Sequence, residues 1–226
     1  MTGASKGIGK SIALALAKAG SDIVATSRSQ KELEALAGEI RSFNVRCLPV
    51  AGDVSKKDDV HHVVARTLEM FGRIDVLVNN AGIGIFSKIT EMSEEDFQKM
   101  LSVNLVGVFL FSKTVLPTMI KQRSGSIINI SSLAGKNSFV GGTGYSASKW
   151  GLMGFSKSLM LEVRDSNIRV VTICPGSVNT HFGEHPKDSA MIIQPEDVAE
   201  TVLFALSIPA RSNVSEIDIR PTIPPK

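Results

Sequence analysis

The chain has 226 residues, 43% of them apolar, with 25 Lys and Arg against 22 Asp and Glu and two cysteines. That length suits one domain, spanning residues 1–226, with a full hydrophobic core. The balanced, scattered charge excludes a nucleic-acid footprint, and Cys47 and Cys174 stand in no metal-ligand or disulfide-framework spacing. No run approaches the roughly 18 uninterrupted apolar residues of a membrane helix, and no signal-peptide pattern precedes the first motif. A cytoplasmic protein with no metal, no nucleic acid and no membrane partner is expected.

The chain opens on a glycine loop, Gly3, Gly7 and Gly9, whose GxxxGxG spacing permits positive φ and lets backbone N–H groups approach a pyrophosphate at a helix N-terminus. Glycines spaced this way also occur in turns that bind nothing. A buried strand normally precedes such a loop, yet Thr2 follows Met1 directly; the expectation is that the sheet's first strand is missing from this chain and that the native sequence begins several residues earlier.

Short β-branched runs then alternate with helical patterns. Strands are predicted at Asp22–Ser27, Val45–Val50, Ile74–Asn79, Ser126–Ser131, Ile168–Cys174 and Val214–Ile219. Helices are predicted at Ile8–Ala19, Lys31–Arg41, Lys56–Phe71, Ser93–Lys121, Tyr145–Arg164 and Pro195–Ser207, with starts marked by Ser55, Ser93 and Pro195–Glu196. This is the βαβ rhythm of a doubly wound, Rossmann-type parallel sheet covered by helices on both faces. The one long irregular stretch runs from Gly176 to Gln194, a length often used functionally.

About 20 residues past the glycine loop, where an acid would hold the ribose 2′-hydroxyl of NAD, stands Arg28. Its planar cation suits a 2′-phosphate, and Lys6 adds a second charge, so NADP(H) is the expected cofactor. Either residue alone reads as a solvated surface cation.

Tyr145, the single tyrosine, lies four residues before Lys149, so on a helix the two share a face. An adjacent ammonium is expected to lower the phenol pKa from its usual value of about 10. Ser132 stands at the carboxyl edge of a strand, placed either to bond a substrate carbonyl or to cap a turn. Asn104, amid Leu101, Val103, Leu105 and Val106, is either a satisfied core amide or part of a proton route.

Taken together, these residues resemble the short-chain dehydrogenase/reductase family, from Thr2 to about Thr180 and more loosely to Pro221. Thr2-Gly3-Ala4-Ser5-Lys6-Gly7-Ile8-Gly9 is similar to the family's cofactor loop, Asp53-Val54 to its adenine-contacting pair, and Asn79-Asn80-Ala81-Gly82 to its NNAG turn. Pro175-Gly176-Ser177-Val178-Asn179-Thr180 resembles the segment that meets the nicotinamide carboxamide.

The resemblance implies a catalytic tetrad of Asn104, Ser132, Tyr145 and Lys149. Ser132 and Tyr145 would hold the carbonyl oxygen, Tyr145 would pass the proton, Lys149 would bind the nicotinamide ribose, and Asn104 would hold a water linking the lysine to solvent. It also implies a homodimer or homotetramer through the two long central helices, with Leu101, Val108, Phe109, Phe155 and Leu159 serving that interface or the core.

Through its middle the chain resembles bacterial 3-oxoacyl-acyl-carrier-protein reductases, but their C-terminal DGG pattern is replaced by Val214–Thr222. That stretch is closer to members acting on 3-hydroxy acids, serine-like substrates or assorted ketones. The implied substrate is a carbonyl or secondary alcohol, a 3-oxoacyl thioester or 3-hydroxy acid among the options. The rival expectation is a non-catalytic NADP(H) sensor or structural partner. His181, Phe182 and His185 are candidates to line the pocket, with surface placement favoured for the histidines, and His61 and His62 read as solvated.

Overall fold

The computed structural model describes residues 1–180, 182, 192–209 and 211–222. Among the described residues are seven α-helices and six strands: α1 (Gly7–Lys18), β1 (Ile23–Ser27), α2 (Gln30–Arg41), β2 (Cys47–Ala51), α3 (Lys57–Phe71), β3 (Val76–Asn79), α4 (Glu94–Leu101), α5 (Gly107–Gln122), β4 (Gly125–Ile130), α6 (Thr143–Val163), β5 (Ile168–Pro175), α7 (Pro195–Ser207) and β6 (Glu216–Ile219). Every strand pairing is parallel.

Two strand sets result, β2 beside β1, and β3-β4-β5-β6 in that order. Between them lie only Met1 and Thr2. The Thr2 N–H donates to the Val78 carbonyl of β3 at 3.0 Å, while the Thr26 N–H of β1 donates to the Met1 carbonyl at 3.0 Å. The two residues thus occupy the carboxyl end of the position where a preceding strand is expected, and Thr2 forms a parallel bridge with Thr26. The strand order reverses at this position, which is where open α/β sheets form a ligand crevice.

Alternation along the strands decides which helices cover which face. Val78, Ile128, Val171 and Ile173 bury into one layer with Ile12 and Leu16 of α1, Leu33 and Leu36 of α2, and Val198 and Val202 of α7. Their neighbours Leu77, Ile127 and Val170 bury on the opposite side with Val60 and Val63 of α3, Phe111 and Val115 of α5, and Leu159 of α6. Each such side chain contributes about 1.5–3 kcal/mol, so both layers fix the sheet that carries the site.

Local signals set the helix ends. Ser29 and Ser93 accept hydrogen bonds from the Glu32 and Asp96 N–H groups, and Pro195 opens α7 behind a Gln194/Asp197 capping box. Ser55, expected from the sequence to mark the start of α3, is not its cap; Lys56 takes that position and the Ser55 hydroxyl instead bonds the Asp53 carboxylate at 2.7 Å.

The helix predicted as one piece at Ser93–Lys121 is divided by a π-helical turn, Ser102–Val106. The continuous helical run Glu94–Gln122 is long and apolar enough to cross a membrane by length and composition; here it packs on α3, α6, β3 and β4. Of the residues weighed for interface or core, Val108 and Leu159 are core, whereas Phe109 is 42% exposed.

Candidate active site

The glycine loop follows Thr2 and leads into α1. Gly3 and Gly7 have φ of 63° and 54°, values that favour glycine. A Cβ on Gly9 would lie 2.1 Å from the Gly3 carbonyl oxygen, so the loop folds tightly across the helix entrance. That entrance has no acidic residue in its first turn and no side-chain cap, which leaves its N–H groups and positive dipole end for an anion.

Asn80 and Thr2 lock the loop onto β3. The Asn80 side-chain amide donates to the Thr2 and Gly3 carbonyls, both at 3.1 Å, and the Thr2 hydroxyl accepts from the Asn80 and Ala81 N–H groups, both at 3.0 Å. Asn80, expected from the sequence as a cofactor contact, uses its side-chain amide to shape the loop. Gly82 lies one turn deeper, where an added Cβ would be 3.4 Å from Asn104 Oδ1 and 3.8 Å from Lys149 Nζ.

Arg28 and Lys6 are exposed beside this loop, and neither makes an ion pair among the described residues. Asp53 stands close to Arg28. Burial alone would raise its pKa, but hydrogen bonds from Ser55 and the positive charge of Arg28 hold the carboxyl below its ordinary value. Val54 is buried against α5, where an added Cβ on Gly107 would touch it at 3.0 Å, so it packs more than it lines a crevice. Ile8 packs onto the α1 core layer and Ser5 is half-buried in the loop.

At the carboxyl edge of β4, Ser132 caps a short 3₁₀ turn, Leu133–Gly135, accepting from the Ala134 N–H at 3.1 Å. Its hydroxyl also stands near enough to the Tyr145 phenol to favour the phenol's charged form. Its neighbour Ser131 points inward, with a hydroxyl that has no partner among the described residues. The turn is held to the sheet edge by Lys136, which ion-pairs with Glu216 and Asp218 of β6.

Tyr145 and Lys149 share one face of α6, the ammonium 5.8 Å from the phenol ring centre. Lys149 is 4% exposed and donates to the Ile130 carbonyl at 3.0 Å. Burial pushes its pKa down to about 8 and pushes the Tyr145 phenol up to about 12, the Ser132 hydroxyl opposing the latter. The lowered phenol pKa expected from the spacing is therefore reversed. Desolvation is the largest cause for both groups and favours the neutral phenol.

Asn104 sits in the π turn as a fully used amide. Its Oδ1 accepts from the Ile83 N–H, and its Nδ2 donates to the Ile83 carbonyl at 2.8 Å and to the Ser148 hydroxyl at 3.0 Å. Ser148 in turn donates to the Tyr145 carbonyl at 2.7 Å. Ser148, which sequence reasoning did not single out, thus ties Asn104 to the helix of the Tyr/Lys pair. Of the two earlier options for the Asn104 side chain, the satisfied amide is the one observed.

Pro175 ends β5 and Gly176 follows, its N–H bonded to the Ile219 carbonyl at 2.9 Å. Val178 is buried and bridges Ile193. The Thr180 methyl lies against the glycine loop, 3.4 Å from where a Cβ on Gly7 would stand. His181 and His185 lie outside the described residues. Phe182 is described and packs on the Tyr145 ring at 5.8 Å, as does Phe86 at 5.4 Å, and Phe139 packs on Phe86. Phe86 and Phe139 were not legible as site residues, because single aromatics in irregular segments carry no periodic signal.

This crevice, with a glycine loop on one side and a Ser/Tyr/Lys set on the other, defines an oxidoreductase of the dinucleotide-binding class. Residues 1–189 match the family described as short chain dehydrogenase, and the chain belongs to it. It is 38% identical over 218 residues to a 3-oxoacyl-[acyl-carrier-protein] reductase of Thermotoga maritima, covering 92% of this chain and 89% of that protein. Among solved structures, an alcohol dehydrogenase of the archaeon Thermococcus sibiricus complexed with 5-hydroxy-NADP is 33% identical with a TM-score of 0.93, covering 100% of this chain and 97% of that one. A metagenomic short-chain oxidoreductase in complex with NADP is 37% identical, TM-score 0.88, with 99% and 96% covered.

Proposed function

We propose that the protein is an NADP(H)-dependent reductase of a ketone, or dehydrogenase of the corresponding secondary alcohol, with Tyr145 as proton donor. The observation that carries this is the Ser132–Tyr145 pair beside buried Lys149 at the mouth of a crevice floored by a glycine loop. The residues fit the cofactor: a helix entrance with no acid in its first turn, glycines where a Cβ would collide, and two cations, Arg28 and Lys6, beside the loop with no ion pair among the described residues. Two relatives complexed with NADP or its 5-hydroxy derivative support the phosphorylated form.

The glycine loop and α1 entrance would hold the pyrophosphate, Arg28 and Lys6 the 2′-phosphate, Asp53 the adenine side, and the Gly82, Pro175–Gly176 and Thr180 region the nicotinamide. When bound, NADPH supplies a hydride. Ser132 and Tyr145 orient the carbonyl oxygen, and the neutral phenol passes its proton to that oxygen. Lys149, beside the phenol, stabilises the phenolate left behind. Gly82 between Asn104 and Lys149 keeps this group close-packed.

The exposed apolar side chains of the two long helices, Val106 and Phe109 on one and Trp150 and Leu161 on the other, favour a homodimer or homotetramer. The test of the catalytic reading is Tyr145→Phe. Turnover of every carbonyl should fall by about a thousandfold or more while NADPH binding, followed by fluorescence, is kept. A variant that keeps its activity overturns the role of Tyr145, and a wild-type chain that binds NADPH yet reduces no carbonyl favours the sensor.

A further inference from the structure

Three phenylalanines from three separate segments form a wall beside the reacting phenol, two of them, Phe86 and Phe182, on its ring and the third, Phe139, against Phe86. Phe86 follows β3, Phe139 precedes α6, and Phe182 follows β5. Phe86 meets Tyr145 edge-on at 5.4 Å and 80°, and meets Phe139 at 5.7 Å and 61°; Phe182 meets Tyr145 at 5.8 Å and 52°.

The wall is built, not incidental. Gly84 is the point over which two rings close, since an added Cβ there would lie 2.7 Å from Phe86 and 2.9 Å from Phe182. Gly142 likewise accepts the Phe139 ring, at 2.5 Å from an added Cβ. The Ser87 N–H donates to the Gly141 carbonyl at 3.0 Å, which ties the Phe86 segment to the Phe139 segment. Phe182 is oriented through the Thr180 hydroxyl, which accepts from the Phe182 N–H at 3.1 Å.

Despite these contacts the rings stay open to solvent. Phe86 is 46% exposed, Phe139 47% and Phe182 37%, with Val140 and Ile89 further out at 90% and 65%. Contiguous exposed apolar surface of this kind marks a binding site, and tilted or edge-on pairs leave ring faces available to a flat guest.

We infer that the substrate is an apolar ketone carrying an aryl group next to the carbonyl, or the matching secondary alcohol, with the aryl ring seated among Phe86, Phe139 and Phe182. This rests on the reductase reading above. The carbonyl carbon gains a hydride from NADPH and its oxygen gains the Tyr145 proton; the ketone is reduced to the alcohol, NADPH is oxidised to NADP⁺, and the phenol is reprotonated from solvent.

The test uses the full chain with NADPH and five carbonyls: an aryl methyl ketone, its cyclohexyl counterpart, a straight-chain methyl ketone of equal carbon count, an acetoacetyl thioester and a 3-oxo carboxylate. The aryl ketone should have the highest kcat/KM, exceeding the cyclohexyl one by about tenfold. Phe86→Leu and Phe182→Leu, which keep an apolar side chain, should erase that preference mainly through KM, with NADPH affinity unchanged as the sign of an intact fold. A thioester or 3-oxo acid that outpaces the aryl ketone, or leucine variants that keep the preference, overturns the inference.

Calorimetric titration of the aryl ketone into the NADP⁺-saturated chain separates the two readings. Binding without reduction of any carbonyl supports the aromatic pocket and overturns the reductase. Reduction of other carbonyls with no binding of the aryl ketone overturns the pocket and leaves the reductase standing.

Discussion

Asn104 holds both peptide groups of Ile83: its Oδ1 accepts from the Ile83 N–H and its Nδ2 donates to the Ile83 carbonyl, each at 2.8 Å. One side chain thereby fixes the backbone that follows the Asn80–Gly82 turn and, through Ser148, fixes α6 relative to it. Asn104→Ala leaves two half-buried peptide groups and the Ser148 hydroxyl short of a partner. The expected loss is on the order of 3 kcal/mol, a fall in Tm of roughly 10 °C for a chain of this size. Asn104→Asp, which would bury a carboxylate with one oxygen against the Ile83 carbonyl, should lose at least as much as alanine in a denaturation series. Equal stability of all three would show that the amide does not hold the turn.

Gly9 offers a steric test of the cofactor crevice. A methyl group there would stand 2.1 Å from the Gly3 carbonyl oxygen and 2.5 Å from Asn80 Nδ2, so the loop must open to admit it. Gly9→Ala should cost about 1–3 kcal/mol and weaken NADPH by about tenfold or more. Gly38, inside α2 with nothing within 4 Å of an added Cβ, is the internal comparison. Gly38→Ala should stabilise the chain by about 0.5–1 kcal/mol and leave NADPH binding untouched.

Cofactor choice rests on Arg28, exposed beside the loop and close enough to Asp53 to lower its pKa. Arg28→Ala should weaken NADPH by about tenfold or more, the strength of a charge-assisted hydrogen bond, and change NADH little. Fluorescence titration of both cofactors reads this directly, and equal losses for the two would remove Arg28 from the 2′-phosphate site.

Periodicity made the architecture legible. The alternation of Val78, Ile128 and Val171 with Leu77, Ile127 and Val170 is visible in the sequence as apolar runs buried on both faces, and all six predicted strands are present. Asn104, Ser132, Tyr145 and Lys149 were singled out from spacing and resemblance together. What was not legible depends on long-range contact. A π turn inserts into a helical pattern without disturbing its hydrophobicity, so the break around Asn104 left no trace. The Asn80 amide bonds backbone 77 and 78 residues away, a partnership that no local motif encodes. The direction of the Tyr145 pKa failed for the same reason: the i, i+4 spacing supplied the ammonium, but only the fold supplied the burial that raises the phenol.

Lys149 gives a pH signature in the chain without cofactor. Its pKa is about 8 in the fold and 10.5 in the unfolded chain, because burial disfavours the ammonium. Between these values the unfolded state binds more protons than the folded one, so this residue makes stability rise with pH from about 8 toward 10.5. The full cost of holding the buried charge, on the order of 3 kcal/mol, applies below pH 8. Cys47 and Cys174 act oppositely, since burial raises both thiols from 9.0 to about 11 and stability falls across that window. The measurement is therefore a difference: urea denaturation of wild type and Lys149→Met at a series of pH values. The wild type minus variant stability should climb with pH above about 8; a difference that stays level would mean that the ammonium is solvated in the folded protein.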